Sequence, residues 1–392
     1  MNPTLNHNFR PANHSSIAYI KIGQNSTTNR SVENLLLHTF PELNLETFDV
    51  THDLFQSRLL IALFMTIFTL REYGTKHGTL FSAPWRNTYS TGFFRMVRRL
   101  VRKRLNPTRY AFTFQTQSLF DASLPNVPNF VYTDHTHLAN LTYPDFDRHS
   151  LASPSWLACE REIYQNARMI FTMSSNIGHS LIHDYQCPLN KIACVYGGSN
   201  LPVMPPAPTA KDYAKQNILF VGVDWHRKGG PDLLTAFEKI IHTHPNAKLT
   251  IAGCSPKTRL ANVKVLGPSG PDKIARLYEE ATIFCLPTRR EPFGIAFIEA
   301  MSYGLPVIGT NLGAQPDFIL PDCNGFLVQP GDIAGLAQAL DRLLSDIDLR
   351  RHLGQCGYDL ASKTYTWNNT ATLIQKNIHK CITTNDVSHV GE

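Results

Sequence analysis

The sequence contains no apolar run long enough to span a membrane. The longest such run, LLIALFMTIFTL at 59–70, has 12 residues, whereas a spanning helix needs about 20, so a buried helix is predicted there. The amino-terminal stretch MNPTLNHNFRPANHSS is polar and lacks the apolar core of a signal peptide. The eight cysteines are scattered, without a C-x-x-C pair. These absences predict free thiols and a cytoplasmic protein.

Repeats, low-complexity tracts and clusters with metal-ligand spacing are also absent from the sequence. What is present is an ordinary globular composition, 43% hydrophobic and 17% charged, over 392 residues. This length predicts two domains. The net charge of +6 fits an anionic ligand or an anionic membrane face, although a diffuse charge acts mainly on solubility and steering.

Apolar runs of strand length alternate with helical patterns along the chain. In the first half the predicted strands lie at 16–23, 109–117, 129–137, 168–175 and 191–198, and the helices at 31–40, 59–70 and 156–167. In the second half the predicted strands lie at 217–223, 247–253, 263–267, 282–288 and 305–310, and the helices at 231–244, 272–281, 295–304, 332–346 and 365–378. Strands that alternate with helices predict a parallel sheet covered on both faces.

A proline-rich stretch separates these two halves. Residues 201–216 include four prolines within eight residues, which predicts a stiff linker. We therefore expect an α/β protein with two doubly wound, Rossmann-like domains, at 1–205 and 211–360. Ligands of such sheets bind at the carboxyl ends of the strands, and the two-domain layout adds a cleft between them.

The segment EPFGIAFIEAMSYGLPVIGT at 291–310 combines a helix amino terminus with two carboxylates. The helix follows a predicted strand, so its free N–H groups lie at the carboxyl edge of the sheet and favour a phosphate. Gly294 lets a ligand approach the backbone closely. Glu291 precedes this anion site, and Glu299 lies within the helix. A diphosphate between two hydroxyl-rich groups would use both carboxylates, whereas solvated or helix-capping glutamates are the alternative.

The pattern E-P-F-G-x-x-x-x-E-A-M-x-x-G-x-P-V closely resembles the E-x(7)-E signature of retaining glycosyltransferases of family 4, which have the two-domain GT-B fold. The segments at 324–332, NGFLVQPGD, and at 220–237, FVGVDWHRKGGPDLLTAF, resemble the family's flanking sequences. The resemblance extends from residue 129 to residue 370 and is strongest at 217–335. It implies that 361–392 contains a helix that crosses back to the first domain, followed by a tail.

The resemblance implies roles for residues of the second domain. Glu291 would face the donor sugar, and Glu299 would bind the nucleotide ribose. The diphosphate or sugar would be held by the backbone amides of Phe293, Gly294, Ile295 and Ala296. Lys228 and Arg227 would neutralise charge on the leaving diphosphate, whereas an ordinary surface basic pair is the alternative. Gly222 would lie in the donor site. Family members commonly carry an arginine two residues after the Phe-Val of this strand, where this chain has Val223, and Arg227 is the expected replacement.

In the first domain, YTDHTH at 132–137 resembles the family segment whose histidine reaches the donor sugar across the cleft. His135 is the better match and His137 the second, and Asp134 could orient either ring. A structural histidine is the alternative at both positions.

Two positions depart from the family pattern. The first loop, IKIGQNSTTNRS at 20–31, has only Gly23 where many members carry two glycines, so its contact with the phosphate or the acceptor stays open. Asparagine tolerates left-handed geometry, so the turn is still accessible. Asp317 stands where glutamate is more usual, and it is expected to hold its loop near the donor.

The resemblance implies a retaining hexosyltransferase that moves a hexose from a nucleotide-diphosphate sugar to a glycan or lipid acceptor. No D-x-D motif ends a predicted strand at the expected place, so a reaction without metal or cofactor is predicted. A non-catalytic nucleotide-sugar-binding or regulatory GT-B protein is the alternative, and a GT-B phosphorylase or epimerase also stays open.

The stretch RMVRRLVRKR at 95–104 combines basic residues with apolar ones at helical spacing. It predicts either a solvated basic helix face or a peripheral contact with an anionic membrane. Nucleic acid is not an expected partner, because no matching motif or aromatic platform accompanies the charge.

Overall fold

The computed structural model of the protein describes residues 15–23, 26–52, 58–74, 88–201 and 203–386. These residues form two α/β domains, each built on a six-stranded parallel sheet. The predicted fold class is confirmed.

The first sheet has helices packed on both faces. Its strands are β1 (Ser16–Lys21), β2 (Asn44–Asp49), β3 (Tyr110–Thr116), β4 (Asn129–Thr133), β5 (Met169–Thr172) and β6 (Ile192–Cys194). Its helices are α1 (Thr27–Thr39), α2 (Arg58–Tyr73), α3 (Thr91–Arg104), α4 (Pro154–Asn166) and α5 (Ser175–His183). The strands run in the order β2-β1-β3-β4-β5-β6. Phenylalanines from three central strands pack at centroid distances of 5.4 to 6.2 Å and fill the core.

The second sheet has the strand order β12-β11-β10-β7-β8-β9. Its strands are β7 (Asn217–Val221), β8 (Lys248–Ala252), β9 (Val263–Gly267), β10 (Ile283–Cys285), β11 (Val307–Thr310) and β12 (Gly325–Val328). The helices that follow are α6 (Gly230–Ile240), α7 (Pro271–Glu280), α8 (Ile295–Ser302), α9 (Gln315–Phe318), α10 (Ile333–Ser345), α11 (Ile347–Lys363) and α12 (Trp367–Asp386). The winding of this sheet reverses between β7 and β10, where doubly wound sheets bind their ligands.

Helix α2 corrects the expectation of a buried helix at 59–70. Its side chains Leu63, Phe64 and Ile67 are 55%, 43% and 39% exposed. The helix is apolar on all sides, but one face packs on α3, where a Cβ at Gly92 would lie 2.3 Å from the ring of Phe68. The opposite face therefore stays in contact with solvent. In the described part of the chain, no helix combines the length and apolarity needed to cross a membrane.

Strand β2 was not predicted from the sequence. Its residues NLETFD lie at the edge of the sheet, and all but the last are partly or fully exposed. An edge strand of this kind can be polar on both sides, so it lacks the apolar alternation that reveals a half-buried strand.

The linker and the last helix both contact the body of the protein. Tyr358 in α11 donates a hydrogen bond to the carbonyl of Pro205 at 3.1 Å, so the proline-rich stretch lies against the second domain instead of standing free as a spacer. Helix α12 packs on the first domain: Gln375 donates to the carbonyl of Thr39 at 3.0 Å, and Arg168 donates to that of Cys381 at 3.1 Å.

Candidate active site

Two loops at the carboxyl edge of the second sheet form one half of the candidate site. They follow β7 and β10, the two strands between which the winding reverses. The first loop carries Lys228 and the second carries Glu291. The hydroxyl of Thr288 donates to the carbonyl oxygens of Arg227 and Arg290, at 3.0 and 3.1 Å. This contact fixes the two loops to each other.

Two glycines shape the loop after β7. Gly229 has a φ of +72°, and a Cβ there would lie 1.8 Å from the carbonyl oxygen of Pro287, so only glycine lets the loops meet this closely. A Cβ at Gly222 would lie 3.0 Å from Cγ of Lys228. Gly222, predicted to bind the donor, thus leaves the lysine side chain its path to the cleft.

Lys228 and Glu291 form an ion pair between Nζ and Oε2. Their side chains are only 13% and 9% exposed, so the pair is largely removed from water and its charges interact more strongly than charges at the surface. The structure therefore brings together the two residues predicted to act on the donor from opposite loops.

Helix α8 begins directly after this ion pair. Gly294 is its N-cap residue and has a left-handed φ of +97°; a Cβ there would lie 3.3 Å from Cγ of Glu291. The amides of Gly294, Ile295 and Ala296 begin the helix and have no carbonyl partner within it. The side chain of Phe293 is buried in the core, so only its backbone is available. The predicted anion site thus lies beside a lysine and a glutamate.

Glu299 lies further along α8, at the boundary with the first domain. Tyr278 donates a hydrogen bond to its carboxylate at 3.2 Å, and the backbone N–H of Asn200 also donates to it. Burial raises the pKa of Glu299 to about 7. The side chain of Asn200 bonds Ser31 and Thr27 of α1, at 3.2 and 3.1 Å. The segment joining the domains therefore links Glu299 to the amino-terminal turn of α1.

The structure does not bring Arg227 to this pair. Its guanidinium donates to the carbonyl of Arg290 at 2.8 Å and lies 3.5 Å from the carboxylate of Asp224. It lines a neighbouring cavity of about 460 Å³ together with Tyr143, Asp145 and other residues of both domains. The predicted Lys–Arg pair is thus split, because adjacent side chains in this loop leave the backbone in different directions.

Side chains from the second domain bind the first domain around the cleft. Arg289 donates to Asp145 of the first domain at 2.8 Å and to Asp232 of α6 at 2.9 Å. Asp317 accepts hydrogen bonds from the backbone N–H of Ser175, at 2.7 Å, and from its hydroxyl. Asp317 therefore holds its loop against α5 of the first domain, and the nearness of this loop to the donor stays a prediction.

His135 and Asp134 form the first-domain side of the cleft. The imidazole of His135 stacks on the ring of Tyr143, with centroids 6.2 Å apart. Burial lowers the pKa of His135 to about 4, so the ring is neutral at pH 7. Burial raises the pKa of Asp134, and the charge of Glu291 contributes to the rise. Asp134 and Glu291 thus interact across the cleft, from opposite domains.

His137 lies in the core of the first domain instead of in the cleft. It is 6% exposed, its Nε2 accepts a hydrogen bond from the N–H of Ala152 at 2.8 Å, and its ring packs on Tyr89 and Trp156. The chain leaves the extended conformation after β4, and His137 has helical backbone angles at the start of the turn Leu138–Thr142, so it faces inward while His135 faces the cleft. The structure supports a structural role for His137.

Glu160 of α4 holds the loop that carries both histidines, and the sequence analysis missed it. Its buried carboxylate accepts hydrogen bonds from the N–H of His137 at 3.0 Å, from Ser118 at 2.9 Å and from Tyr164 at 3.0 Å. Tyr185 also donates to it. Burial raises the pKa of Glu160 to about 7. The only sequence signal was a single acid within an otherwise inward-facing helix pattern.

The first loop is described only in part. Gly23 has a φ of +99°, and a Cβ there would meet no atom within 4 Å. The side-chain amide of Asn29 donates to the carbonyl of Gly23 at 3.2 Å. Residues 24 and 25 lie outside the described residues, so contact of this loop with a ligand stays a prediction. Among the described residues, no group of three or more His, Cys, Asp or Glu side chains is arranged to hold a metal ion.

Comparison with solved structures identifies the architecture. A sucrose-phosphate synthase from Thermosynechococcus elongatus superposes with a TM-score of 0.70 at 19% identity, covering 95% of this chain and all of that one. WaaG, a glycosyltransferase involved in lipopolysaccharide biosynthesis, superposes with a TM-score of 0.62 at 16% identity, covering 91% and 99% of the two chains. The protein therefore has the two-domain GT-B fold.

Sequence comparison shows which proteins of this fold the chain resembles. Residues 206–360 match the family model described as glycosyl transferases group 1. The chain is 29% identical to an uncharacterized glycosyltransferase of Methanocaldococcus jannaschii over 53% of its length and 58% of that protein's. It is 26% identical to a D-inositol 3-phosphate glycosyltransferase of Corynebacterium jeikeium over 63% and 65%. The chain thus spans about three-fifths of these relatives. Fold and matches together support the glycosyltransferase superfamily.

Proposed function

We propose that the protein is a retaining, metal-independent glycosyltransferase of family 4. It transfers a hexose from a nucleotide-diphosphate sugar to a glycan or lipid acceptor in carbohydrate biosynthesis. The ion pair of Lys228 with Glu291, beside the amino terminus of α8, is the observation that carries the proposal.

The pairing of opposite charges fits the two ends of a sugar diphosphate. The lysine and the helix amides stabilise negative charge on the diphosphate. The carboxylate of Glu291 accepts hydrogen bonds from hydroxyls of the sugar. Glu299, just over one turn into α8, takes the ribose hydroxyls. Arg227 is left out of this set, because its guanidinium bonds the carbonyl of Arg290 and lies beside Asp224 instead of reaching the ion pair.

The reaction breaks the bond between the anomeric carbon and the diphosphate oxygen, and the oxygen keeps the electron pair. The acceptor hydroxyl forms the new bond to the anomeric carbon on the same face. Its proton goes to the departing diphosphate, which acts as the base. The neutral imidazole of His135 then supplies a hydrogen bond to the sugar from the first domain and does not compete for that proton.

The names of the relatives support transfer of a sugar from a nucleotide sugar, but they do not identify the donor or the acceptor. The matched proteins include D-inositol 3-phosphate glycosyltransferases and a glycogen synthase of Mycobacterium tuberculosis. One structural neighbour is a complex of the pneumococcal O-GlcNAc transferase GtfA with UDP and GlcNAc. These names suggest a nucleotide sugar as donor and a hydroxyl-bearing acceptor for this chain.

A lipid-linked acceptor is supported by the surface of the first domain. The exposed apolar residues Leu63 and Phe64 of α2 lie on the helix that packs against α3, and α3 exposes Arg99, Arg102 and Lys103. An apolar face beside a basic helix fits the interface of an anionic membrane. We propose peripheral contact of a cytoplasmic enzyme with such a membrane, which extends the predicted 95–104 surface to α2.

The experiment that tests the function is a donor panel. UDP-, GDP- and ADP-hexoses are incubated with the protein in EDTA, with and without glycan acceptors, and the released nucleoside diphosphate is measured. We expect release from one class of donor, with the product anomer matching the donor. Release that requires added Mg²⁺ or Mn²⁺, or an inverted anomer, would contradict the proposed mechanism.

The alternative is a nucleotide-sugar-binding protein without turnover. It predicts that a donor raises the melting temperature while no nucleotide is released. At 100 times the dissociation constant, binding stabilises the folded state by about 2.7 kcal/mol. The enzyme is favoured because Glu291, Glu299 and Lys228 are all kept at the positions of the family pattern that the chain resembles.

A further inference from the structure

Tyr143 has a buried hydroxyl without a hydrogen-bond partner among the described residues. The residue is 3% exposed. Buried polar groups in folded proteins are nearly always paired, and an unpaired one calls for an explanation, often a function. Other buried tyrosines of this chain follow the rule: the hydroxyl of Tyr213, also 3% exposed, donates to the carbonyl of Gly304 at 2.7 Å.

The position of Tyr143 places this hydroxyl between the two domains. Its ring stacks on His135 of the first domain. From the second domain, a Cβ at Gly313 would lie 3.6 Å from the hydroxyl oxygen and 2.1 Å from the carbonyl oxygen of Glu291. The charges of Glu291 and Asp134 add to burial in raising its pKa, so the hydroxyl keeps its proton. It therefore lies at the meeting point of the predicted donor-sugar residues.

We propose that Tyr143 is a donor-binding residue whose hydroxyl pairs with a hydroxyl of the sugar held by Glu291. This inference rests on the proposed function and adds a first-domain contact to it. A sugar hydroxyl is a better partner than a phosphate, because the ring stacks on His135 and the hydroxyl lies beside the loop of Glu291, the two residues predicted to face the sugar. A sugar hydroxyl can both donate and accept, and it can bridge the tyrosine and the glutamate.

The cover over this hydroxyl comes from the opposite domain. Tyr143 belongs to the first domain, whereas Glu291 and Gly313 belong to the second. The contacts between the domains here are polar side-chain pairs, such as Arg289 with Asp145. A hinge or shear motion that admits a donor therefore also uncovers the tyrosine. On closure the sugar supplies the partner that the protein lacks.

The test compares Tyr143→Phe with the wild type. Calorimetric titrations use UDP-, GDP- and ADP-glucose and the matching nucleoside diphosphates, and melting temperatures are recorded. We expect the Kd for the nucleotide sugar to rise roughly tenfold, as for loss of one hydrogen bond. The Kd for the nucleoside diphosphate stays the same, and the melting temperature does not fall, because no protein hydrogen bond is lost.

Tyr213→Phe is the matched control, since it removes a partnered hydroxyl of equal burial. It should lower the melting temperature and leave both dissociation constants unchanged. Equal Kd values for the nucleotide sugar in wild type and Tyr143→Phe would overturn the inference and leave the proposed function intact. An equal loss for sugar nucleotide and diphosphate would also overturn it. Wild type that binds none of the probes overturns the inference together with the proposed function.

Discussion

The two sides of the cleft are built differently. On the second-domain side, Lys228, Glu291 and the amino terminus of α8 lie on two adjacent loops that are tied together by Thr288. On the first-domain side, the loop that follows β4 and carries His135 is bound by the buried carboxylate of Glu160, 23 positions from His137 in the sequence. We call the second-domain side, with Lys228 and Glu291, the charged half of the site, and the first-domain side, with His135 and Tyr143, the neutral half. The charged half is held by contacts between two adjacent loops, while the neutral half depends on packing within its whole domain.

This difference indicates which domain recognises the diphosphate and which recognises the sugar. A diphosphate is recognised by charge and by helix amides, which a short segment of chain can supply. A sugar is recognised by several neutral hydrogen-bonding groups, which need a rigid support. Glu160 provides that support, since its carboxylate binds the backbone of the loop after β4. Substitutions in the charged half should therefore mainly lower catalytic activity, while substitutions in the neutral half should lower stability and sugar binding.

The largest effect is expected from Lys228→Ala. Loss of the cation that stabilises the leaving diphosphate should lower kcat/KM by about 100- to 1,000-fold. Arg227→Ala is the matched control in the same loop, and we expect it to change kcat/KM less than about fivefold, because its guanidinium bonds the carbonyl of Arg290 and lies beside Asp224 instead of reaching the ion pair. Released nucleotide measures both. A larger loss in Arg227→Ala than in Lys228→Ala would reverse the assignment.

Glu160→Ala should break the support of the neutral half. It leaves buried donors of four residues without their acceptor, so the free energy of unfolding should fall by about 2 kcal/mol. Activity should fall mainly through KM for the donor sugar. Urea denaturation and donor kinetics measure the two effects, and Glu162→Ala, on the same helix but half-exposed, is the control. Unchanged stability in Glu160→Ala would contradict the proposed support.

Glu160 also predicts a pH dependence of stability. Its pKa is about 7 in the folded protein, above the ordinary value of 4.5, so the folded state binds this proton more tightly than the unfolded state. The stabilising contribution is present below pH 4.5 and is lost as the pH rises to 7. Denaturation between pH 5 and 8 should show this decrease in wild type and a flatter profile in Glu160→Gln. Parallel profiles would exclude Glu160 as the titrating group.

A smaller effect, on vesicle binding, is expected at the proposed membrane-contact surface of the first domain. Phe64→Asp should reduce binding to vesicles with anionic lipid several-fold, since it places a charge on the apolar face of α2. Leu189→Asp, at an apolar residue that is 73% exposed elsewhere on the domain, is the control. Vesicle sedimentation measures both. Equal binding by both variants and the wild type would remove α2 from the contact.

The smallest effect is expected from Asp145→Ala between the two sides. Asp145 is 54% exposed, so solvent screens its pair with Arg289, and the loss of unfolding free energy should be about 0.5 kcal/mol. Chemical denaturation measures it, with Arg351→Ala, another exposed ion pair, as control. A loss of several kcal/mol would show that this contact holds the domains together.

The charged half could be predicted from the sequence and the neutral half could not. Glu291, Gly294 and Glu299 occur in one 9-residue segment, so their spacing alone placed them at a helix amino terminus. The strands around them were buried, apolar and regularly spaced, which made the α/β pattern readable.

The neutral half depends on contacts between distant residues. Glu160 and Tyr143 carry no motif, and their roles follow from the 23 positions between Glu160 and His137 and from the approach of the second domain. His135 and His137 look alike in sequence, and only the turn that begins at His137 separates them. Asp317 likewise contacts Ser175, 142 positions away.

The most direct test of the central claim is the binding of nucleoside diphosphates to wild type and Lys228→Ala, measured by calorimetry in EDTA. We expect wild type to bind one of UDP, GDP and ADP, and the variant to bind it at least tenfold more weakly while remaining folded. Equal affinity in both proteins, or binding by neither, would contradict a diphosphate site between Lys228 and the amino terminus of α8.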